Sequence, residues 1–447
     1  MRIEKFLKRF NSYSEKIGLI WKGSTYSYTF LSSCIIKNTQ LIKSYEIKSG
    51  AVVSIEGDFS PNAIGLLFSL IRHKCIIVPI NKNTNSNKNF LRELSGVEYS
   101  FEINNSDDVS IKKTDNIIEN DFYKILRRNN NPGLVLFTSG TSGKPKAAVH
   151  NFSSLLKKFK RKSQSLSTLN FLLFDHWGGL NTMFHILSNG GTLITVNDRS
   201  PSNVCSLIDE HNIELLPVSP TFLNLLLVSK KYKNYDLSSL KIISYGTEPM
   251  PETTLKRLND IFPDVRFIQT YGLIELGVLS SKSENKHSLW FKVIKDGYDI
   301  RVVDGILQIK AESAMLGYLN ADSPFTKDGW FITGDQVLQN GEYIKIMGRK
   351  SEIINIGGEK VYPQEVENII QDMKNVVEVT VYGEKNYLIG NILCAKVRLR
   401  NDEDRKTFRN RLKIHCKGKI DEYKIPIKIL VVNSIQYNER YKKLRDK

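Results

Sequence analysis

A glycine-rich stretch at residues 136–150 carries the strongest chemical signal in the chain, with the sequence LFTSGTSGKPKAAVH. An apolar run typical of a buried strand leads into it, and small and hydroxyl residues are followed by Lys144 and Lys146. Glycine lets the backbone approach a ligand closely and aim successive N–H groups at it. The hydroxyls add donors and the lysines add positive charge, so the stretch predicts a loop that binds a polyphosphate.

The loop is not a Walker A motif, which needs a glycine, four further residues and then Gly-Lys followed by Ser or Thr. Thr138 stands where the first of those glycines would be, and Pro145 follows Lys144. A plain flexible turn is the alternative interpretation. The hydroxyls and the strand before them favour phosphate binding.

A carboxylate further along the chain could complete a nucleotide site. Glu275 ends the segment TYGLIE. Negative charge beside a triphosphate is repulsive unless a cation lies between the two, which makes Glu275 a candidate ligand for Mg²⁺. Taken alone, Glu275 is equally compatible with a solvated surface charge.

Six elements, in order along nearly the whole chain, resemble the adenylate-forming family of acyl- and aryl-CoA synthetases, peptide-synthetase adenylation domains and luciferases, the AMP-dependent synthetases and ligases. The first matches the family's signature loop at every fixed position. Six elements in the family's order are far more specific than any one of them. They are TSGTSGKPK (138–146), YGTEPM (245–250), TYGLIE (270–275), GWFITGD (329–335), GRKSEIINIGGEKVYPQEVE (348–367) and SIQYNERYKKLRDK (434–447).

The resemblance implies a nucleotide site shared among these elements. It assigns Asp335 to both ribose hydroxyls, Arg349 to ribose or phosphate, and Glu275 to Mg²⁺. It also places Gly357 and Gly358 alongside the pantetheine arm of an acyl acceptor. The implied nucleotide contacts are Ser139, Gly140, Thr141, Ser142, Gly143, Lys146, Gly246, Thr247, Glu248, Thr270, Tyr271, Gly272, Asp335 and Arg349.

The end of the chain contains the implied catalytic lysine. The family carries Gly-Lys-x-x-Arg here, and Lys442 and Arg445 keep that spacing, while Tyr441 replaces the glycine. Lys443 is adjacent, so the register could slip by one residue, and alone the segment would be interpreted as a basic tail. The order of the matches favours Lys442, which joins Thr138 and Glu275 as an expected catalytic residue.

Two further positions depart from the family pattern. Ile274 replaces the threonine before Glu275, which removes a hydroxyl contact to phosphate, and Ser351 occupies the hinge position where the family has Asp or Lys. A small polar residue suits a hinge. Together with Tyr441, these departures leave open an alternative from another class, a non-catalytic nucleotide-binding sensor.

The acid is expected to bind beside FDHWGGLNT (174–182). His176 is the favoured pocket residue because related CoA ligases carry a histidine there, and Ser244 and Tyr245 are further pocket candidates. Asp175 could bind a substrate ammonium group and Trp177 could wall the pocket. Both are equally compatible with a packed aromatic turn.

Alternating strand and helix patterns, clearest in residues 50–80, predict an α/β fold with a parallel sheet. Residues 81–131 are polar and predict a partly irregular stretch. Short strands after Glu275 predict a small antiparallel or barrel-like unit. We therefore expect a large N-terminal AMP-binding domain (1–347) of stacked αβα subdomains plus a small β-barrel-like unit, followed by a small mobile α+β lid domain (348–447).

Composition narrows the partners and the compartment. The formal charge of +17 is spread along the chain without a dense run, so no nucleic-acid partner is predicted. No stretch reaches the ~20 apolar residues of a transmembrane helix, and the N-terminus lacks the apolar core of a secretory signal. The five cysteines have no paired spacing, which argues against zinc and redox motifs. A cytoplasmic protein is expected.

The chemistry implied is the activation of a small carboxylic acid. A carboxylate does not react usefully with a thiol, because its leaving group would be oxide or hydroxide. Attack on the ATP α-phosphorus gives an acyl-adenylate and pyrophosphate, which makes AMP the leaving group. The expected ligands are ATP, Mg²⁺ and CoA or phosphopantetheine. A CoA ligase and a stand-alone enzyme that loads an acyl or peptidyl carrier protein in trans both remain open.

Overall fold

The computed structural model describes residues 3–81, 88–116, 118–138, 145–294, 296–386 and 390–443. Thirteen strands and ten helices come first along the chain. The strands are β1 (Ile17–Trp21), β2 (Ser24–Ser27), β3 (Val52–Gly57), β4 (Ile76–Asn81), β5 (Tyr99–Ile103), β6 (Val109–Lys113), β7 (Gly133–Thr138), β8 (Lys146–Asn151), β9 (Ser167–Asn170), β10 (Thr192–Thr195), β11 (Leu215–Val218), β12 (Ile242–Tyr245) and β13 (Arg266–Gln269). The helices are α1 (Ile3–Asn11), α2 (Tyr28–Ser44), α3 (Pro61–Arg72), α4 (Lys88–Ser95), α5 (Asp121–Arg128), α6 (Phe152–Leu155), α7 (Trp177–Ser188), α8 (Pro201–His211), α9 (Pro220–Ser229) and α10 (Glu252–Ile261).

Nine further strands follow, and they complete the large domain. They are β14 (Tyr271–Leu273), β15 (Gly277–Leu279), β16 (Ser281–Ser283), β17 (Phe291–Val293), β18 (Tyr298–Val303), β19 (Ile306–Ala311), β20 (Gly317–Tyr318), β21 (Phe331–Asn340) and β22 (Tyr343–Arg349). Six of them form one sheet in the order β16-β17-β22-β21-β19-β18, and the pairs are antiparallel. The change of pattern after Glu275 therefore marks an antiparallel unit, as predicted.

Two seven-stranded sheets form the body of the large domain. One runs β20-β8-β7-β4-β3-β5-β6 and the other β13-β12-β11-β9-β10-β1-β2. The inner strands pair in parallel, as strand–helix alternation predicts, and antiparallel strands lie at the ends. In such sheets, ligands bind at the carboxyl ends of the parallel strands, so the loops after β7, β9, β11, β12 and β13 are the places to look for a site.

An aromatic core joins the two sheets. Phe6 of α1, Phe68 of α3 and Phe184 of α7 lie with ring centres 5.1–5.6 Å apart, and all three are fully buried. The same core takes in Leu19 and Leu193 from one sheet and Val53 and Ile55 from the other. Both sheets are thereby fixed relative to each other, which fixes the loops at their carboxyl ends.

The described part of residues 81–131, predicted to be partly irregular, contains two helices and two strands beside its loops. Strand β5 pairs in parallel with β3, and β6 pairs antiparallel with β5 at the edge of the sheet. Strand β6 (VSIKK) has no fully buried residue, because one of its faces and its outer edge meet solvent. An edge strand of that kind carries charged residues, which hide it from a hydrophobic pattern.

The lid domain has a hydrophobic core of its own. Its elements are β23 (Ile354–Ile356), β24 (Glu359–Val361), α11 (Pro363–Gln371), β25 (Val376–Asn386), β26 (Gly390–Leu399), α12 (Arg405–Cys416) and β27 (Lys428–Val431). Val366 and Ile370 of α11 pack against Val379 of β25 and Phe408 of α12. The predicted boundary between residues 347 and 348 falls inside β22 and remains a prediction.

The lid is packed against α9 and the turn after β12. Gln364 Nε2 donates to the Pro249 carbonyl at 2.8 Å, and Asn224 Nδ2 of α9 donates to the Val377 carbonyl at 3.2 Å. Among the described residues, no helix is long and apolar enough to cross a bilayer. All five cysteines are buried and free of disulfides.

Candidate active site

The predicted phosphate loop connects two paired strands. Thr138 ends β7 and Lys146 begins β8, and the two residues pair across the antiparallel ladder. The predicted contacts Ser139, Gly140, Thr141, Ser142 and Gly143 lie outside the described residues. Asn320 holds the exit of the loop, because its Nδ2 donates to the Pro145 carbonyl at 2.9 Å and its Oδ1 accepts from the Ala147 amide at 3.0 Å. Sequence reasoning missed Asn320.

Glu275 lies next to the exit of this loop. The Tyr318 hydroxyl donates to Glu275 Oε1 at 2.6 Å, and Lys146 Nζ lies 5.4 Å from the centre of the Tyr318 ring. Burial raises the pKa of Tyr318, and the negative charge of Glu275 adds to the rise. Tyr318 reaches this position because β20 pairs with β8, with Tyr318 opposite Ala148. Only the tertiary fold reveals that contact.

Asp335 is the centre of a second polar group. It is 6% exposed, and its Oδ2 accepts a 2.5 Å hydrogen bond from the Tyr271 hydroxyl. Arg349 Nε lies 3.1 Å from Asp335 Oδ1, because the two residues are register partners on β21 and β22. Tyr271, from the TYGLIE segment, and the predicted Arg349 therefore both contact the carboxylate of Asp335, the predicted ribose ligand.

The two polar groups act on one another. Burial opposes the charge of Arg349, yet the negative charges of Asp335 and Glu275 outweigh that effect and raise its pKa. Burial raises the pKa of Tyr271 well above its usual value, and the nearby charge of Asp335 contributes. Glu275, Asp335 and the exit of the phosphate loop therefore converge, although they come from distant parts of the sequence.

The turn after β12 brings Gly246 against Thr270. A Cβ at Gly246 would lie 2.5 Å from Thr270 Oγ1 and 2.6 Å from the Thr270 carbonyl oxygen, so only glycine fits. Thr247 has a φ of 72°, in the left-handed region. The Thr270 hydroxyl donates to the Tyr245 carbonyl at 3.0 Å. These contacts fix the shape of a turn at the carboxyl edge of the second sheet.

Glu248 is engaged by protein groups. Its carboxylate accepts a 2.8 Å hydrogen bond from the Thr221 amide and another from the Thr221 hydroxyl, at the start of α9. Negative charge at a helix N-terminus is favourable. Gly272, also predicted to contact the nucleotide, lies on the β14–β15 hairpin, where a Cβ would stand 3.0 Å from the Gly277 carbonyl oxygen. The predicted nucleotide contacts of Glu248 and Gly272 stay predictions.

The chain end forms a compact turn. The Asn438 Oδ1 accepts the Lys442 amide at 3.1 Å, the Asn438 amide donates to the Lys442 carbonyl at 3.0 Å, and Tyr437 bridges to Lys443. Lys443 Nζ is committed to Glu367 of α11 at 3.0 Å. The choice of Lys442 over Lys443 as the catalytic lysine stays a prediction from the sequence. Arg445 lies outside the described residues.

His176 lies within the electrostatic reach of the chain end. Burial, then the positive charges of Arg440 and Lys442, lower the pKa of His176 to about 3. The ring is therefore neutral, and its Nδ1 accepts the Gly178 amide at 3.0 Å as the cap of α7. With Nδ1 as the acceptor, the proton resides on Nε2.

The other candidate pocket residues differ in their exposure and in their contacts. Tyr245 is 2% exposed and packs in the core of the second sheet, while Ser244 alternates with it on β12 and is partly exposed. Both residues stay predictions as pocket residues. Trp177 is equally buried and meets Phe152 edge to face in the core. Asp175 forms a 3.0 Å ion pair with Arg440.

The lid glycines and the predicted hinge lie at the surface. Gly357 and Gly358 have φ values of 56° and 94° and form the turn between β23 and β24, with open space around both. Only glycine adopts two such values in succession without strain. Ser351 is exposed in a short turn after β22. In this conformation, the glycine pair does not line the site.

Comparison with known proteins gives sequence relatives among ligases. An indoleacetate–CoA ligase of Aromatoleum aromaticum is 28% identical over 333 residues, covering 68% of this chain and 64% of that enzyme. The match therefore spans slightly less than two thirds of that relative. A 2-succinylbenzoate–CoA ligase of Bacillus subtilis is 24% identical over 97% of this chain and 94% of its own length.

The fold has solved counterparts, and a family description covers most of the chain. The crystal structure of the anthranilate CoA ligase AuaEII in complex with anthranoyl-AMP matches with a TM-score of 0.82 at 18% identity, over 99% of this chain and 95% of that one. This confirms the predicted α/β fold with a large and a small domain. Residues 6–319 match the AMP-binding enzyme family, and residues 365–442 match the AMP-binding enzyme C-terminal domain. The chain belongs to the AMP-binding enzyme family.

Proposed function

We propose that this protein activates a carboxylic acid with ATP as an acyl-adenylate and then transfers the acyl group to a thiol. The observation that carries the proposal is the meeting of Glu275, Asp335 and the exit of the phosphate loop. Family membership and ligase relatives support the same activity.

ATP would lie along the line joining these groups. Its ribose hydroxyls would bond to Asp335, whose position is held by Tyr271 and Arg349. Its phosphates would lie between the phosphate loop, Lys146 and Arg349. A bidentate carboxylate is a strong acceptor for paired hydroxyls, and preorganised cations stabilise phosphate charge without reorganisation.

Glu275 fits a role as a Mg²⁺ ligand. Mg²⁺ prefers carboxylate oxygens, and it is often held by one or two carboxylates together with substrate phosphates and waters. One oxygen of Glu275 is oriented by the Tyr318 hydroxyl. The bound ion would neutralise phosphate charge; Glu275 would hold it, and Tyr318 would fix the carboxylate.

The first step would join the acid to AMP. An oxygen of the acid attacks the α-phosphorus, a P–O bond forms, and the bond to pyrophosphate breaks. Lys442 would offset the charge that builds up at the phosphorus. His176 would present its Nε2–H to the acid, and its low pKa keeps the ring uncharged at neutral pH, with no proton on Nδ1.

The second step would release AMP. A thiolate attacks the acyl carbonyl, a C–S bond forms, and the bond to the AMP oxygen breaks. We propose CoA as the acceptor because the sequence relatives are CoA ligases. A carrier-protein phosphopantetheine is the alternative. The family resemblance implies that the lid turns, so that the exposed Gly357–Gly358 turn comes to the thiol's path.

ATP–pyrophosphate exchange across a panel of aryl, arylacetic, short-chain and amino acids tests the first step. We expect exchange with at least one acid and none without Mg²⁺. Silence across the panel, with nucleotide binding intact, would favour a sensor over an enzyme. With the active acid in hand, separate reactions with CoA and with a phosphopantetheinylated carrier protein distinguish the two acceptors.

A further inference from the structure

The residue that replaces the family's glycine before Lys442 is a partly buried contact point for the chain end. The Tyr441 ring lies 5.3 Å from the Phe171 ring and 5.7 Å from the Phe222 ring, and it stacks on Tyr437 at 4.9 Å. Phe171 and Phe222 belong to the core of the second sheet. A side chain from the chain end therefore extends the core of the large domain.

Polar contacts complete the attachment. The Tyr441 hydroxyl donates to the Arg199 carbonyl at 2.7 Å, and the buried Ser219 hydroxyl donates to the Tyr441 carbonyl at 2.8 Å. Arg199 is in turn fixed, because its Nε donates to the Phe171 carbonyl at 2.7 Å. The hydroxyl and the carbonyl oxygen of Tyr441 thus both form hydrogen bonds with the large domain.

Arg440 supplies a second attachment. Its guanidinium lies 3.0 Å from Asp175 Oδ2, and the Asp175 side chain is only 9% exposed. Asp175 immediately precedes His176, so the ion pair joins the chain end to the segment that carries the predicted acyl pocket. An ion pair with one buried partner is costly to break, because the remaining charge stays buried.

The backbone shows that the tyrosine is retained at some cost. Tyr441 has a φ of 52°, in the left-handed region that suits the family's glycine and disfavours a side chain with a Cβ. A strained residue persists where its surroundings fix it. The contacts of the Tyr441 ring and hydroxyl are what fix it here.

We propose that Tyr441 and Arg440, the tail anchor, are positioning residues that hold Lys442 at the site of adenylate formation. This inference rests on the proposed function. Placing a charged group within about 1 Å of its working position can be worth about 10²-fold in rate. Transfer to the thiol requires Lys442 to leave, so the anchor favours the first half-reaction and opposes the second.

The first test measures the anchor without any reaction. Hydrogen–deuterium exchange of residues 436–443 is compared in the full-length wild type, Tyr441→Ala and Tyr441→Phe, without substrates. We expect exchange of the chain end to rise at least tenfold in Tyr441→Ala and to stay near wild type in Tyr441→Phe, which keeps the ring. Tyr423→Ala, at a lid tyrosine that is 38% exposed, is the matched control and should leave this segment unchanged.

The second test separates the half-reactions. Single-turnover adenylate formation should fall about 10–100-fold in Tyr441→Ala, while thiolysis of a supplied acyl-adenylate should be undiminished. Arg440→Gln should show the same split to a smaller degree. Tyr441→Phe should restore most of the adenylation rate, which general unfolding would not allow.

Several results would overturn the proposal. One is a rate of hydrogen–deuterium exchange at the chain end of Tyr441→Ala that equals the wild-type rate. Another is an equal loss of rate in both half-reactions of Tyr441→Ala. A third is an equal loss of adenylation rate in Tyr441→Phe and Tyr441→Ala. Full adenylation by Tyr441→Gly would also overturn it, because the backbone rather than the ring would then position Lys442. If the wild type has no ligase activity, the exchange measurement still decides whether the anchor exists.

Discussion

The two halves of the candidate site are built on different principles. One half consists of Asp335, Tyr271 and Arg349, which lie on strands of the large domain and contact one another through their side chains. Asp335 and Arg349 are also partners in the backbone pairing of β21 and β22. Lys442 is held by a turn at the chain end, which is attached through its neighbours Arg440 and Tyr441. We call the first the permanent half and the second the detachable half, because the proposed function requires Lys442 to leave before the thiol reacts.

Replacing Lys442 should give the largest effect, because it removes the detachable half outright. Lys442→Ala should lower adenylate formation by about 10²–10³-fold, the usual cost of losing a group that stabilises transition-state charge. Thiolysis of a supplied acyl-adenylate should be spared. Pre-steady-state measurement of both half-reactions checks this.

Lys413→Ala is the matched control, since Lys413 lies on the exposed face of α12 in the same domain. It should leave adenylation unchanged. Equal loss of both half-reactions in Lys442→Ala would remove the role assigned to this lysine.

Replacing Asp335 should weaken the permanent half. Asp335→Asn keeps the shape but removes the charge that binds Arg349 and would accept the ribose hydroxyls. A hydrogen bond to a charged group is worth about 1.5–3 kcal/mol, so the KM for ATP should rise roughly 10–100-fold.

The matched control for this charge is Asp328→Asn. Asp328 pairs with Arg301 on the same sheet, but its side chain is 58% exposed, and exposed pairs contribute little. An unchanged KM for ATP in Asp335→Asn would place the ribose elsewhere.

The pH dependence of the free energy of unfolding should depend on His150 of β8, a strand next to the phosphate loop of the permanent half. His150 is 1% exposed, and burial lowers its pKa to about 4 from an unfolded value near 6.5. Between those values the unfolded chain binds a proton that the folded chain does not. Stability is therefore full above pH ~6.5 and falls by up to about 1.4 kcal/mol per pH unit towards pH 4.

Urea unfolding at several pH values between 7.5 and 5 measures this slope. Burial also lowers the pKa of His176 and His185, so each of these histidines adds a slope of its own. His150→Gln should therefore make the total slope shallower by the share of one histidine, whereas His287→Gln, at an exposed histidine, should leave it unchanged. If the His150 variant keeps the wild-type slope, this histidine is protonated in the folded state.

The smallest effect is expected at the contact between Tyr318 and Glu275. Tyr318→Phe removes the hydroxyl that orients the carboxylate, but it leaves the carboxylate and its charge in place. Exchange activity should fall only a few-fold, with a matching rise in the Mg²⁺ concentration required. Tyr343→Phe on β22 is the control. An unchanged Mg²⁺ requirement would separate Tyr318 from the metal.

Much of the permanent half could be predicted from the sequence, because its residues lie in short motifs whose residue types indicate the chemistry they can perform. The strand before Thr138, the carboxylates Glu275 and Asp335 and the arginine at 349 were all identified before the fold. Their partners were not. Tyr318 and Asn320 come to the loop through the pairing of β20 with β8, and no local pattern encodes the pairing of strands so far apart.

The detachable half could be foreseen only in part. The spacing of Lys442 was visible, but Tyr441 was recorded as a departure from the family pattern that could weaken the case for catalysis. The structure makes it a point of attachment. Tyr245 shows the converse, since a residue beside a pocket motif packs into the core.

The sequence by itself determined the chemistry that this protein can gather: a phosphate loop, two carboxylates, a terminal lysine and an alternating α/β chain. Those properties are local, because residue type and spacing fix them. The tertiary structure alone decided which side chains orient these groups, which neighbouring lysine is bound to a lid carboxylate, and where the chain end attaches. Such contacts join residues up to 265 positions apart, and only packing of the whole chain brings them together.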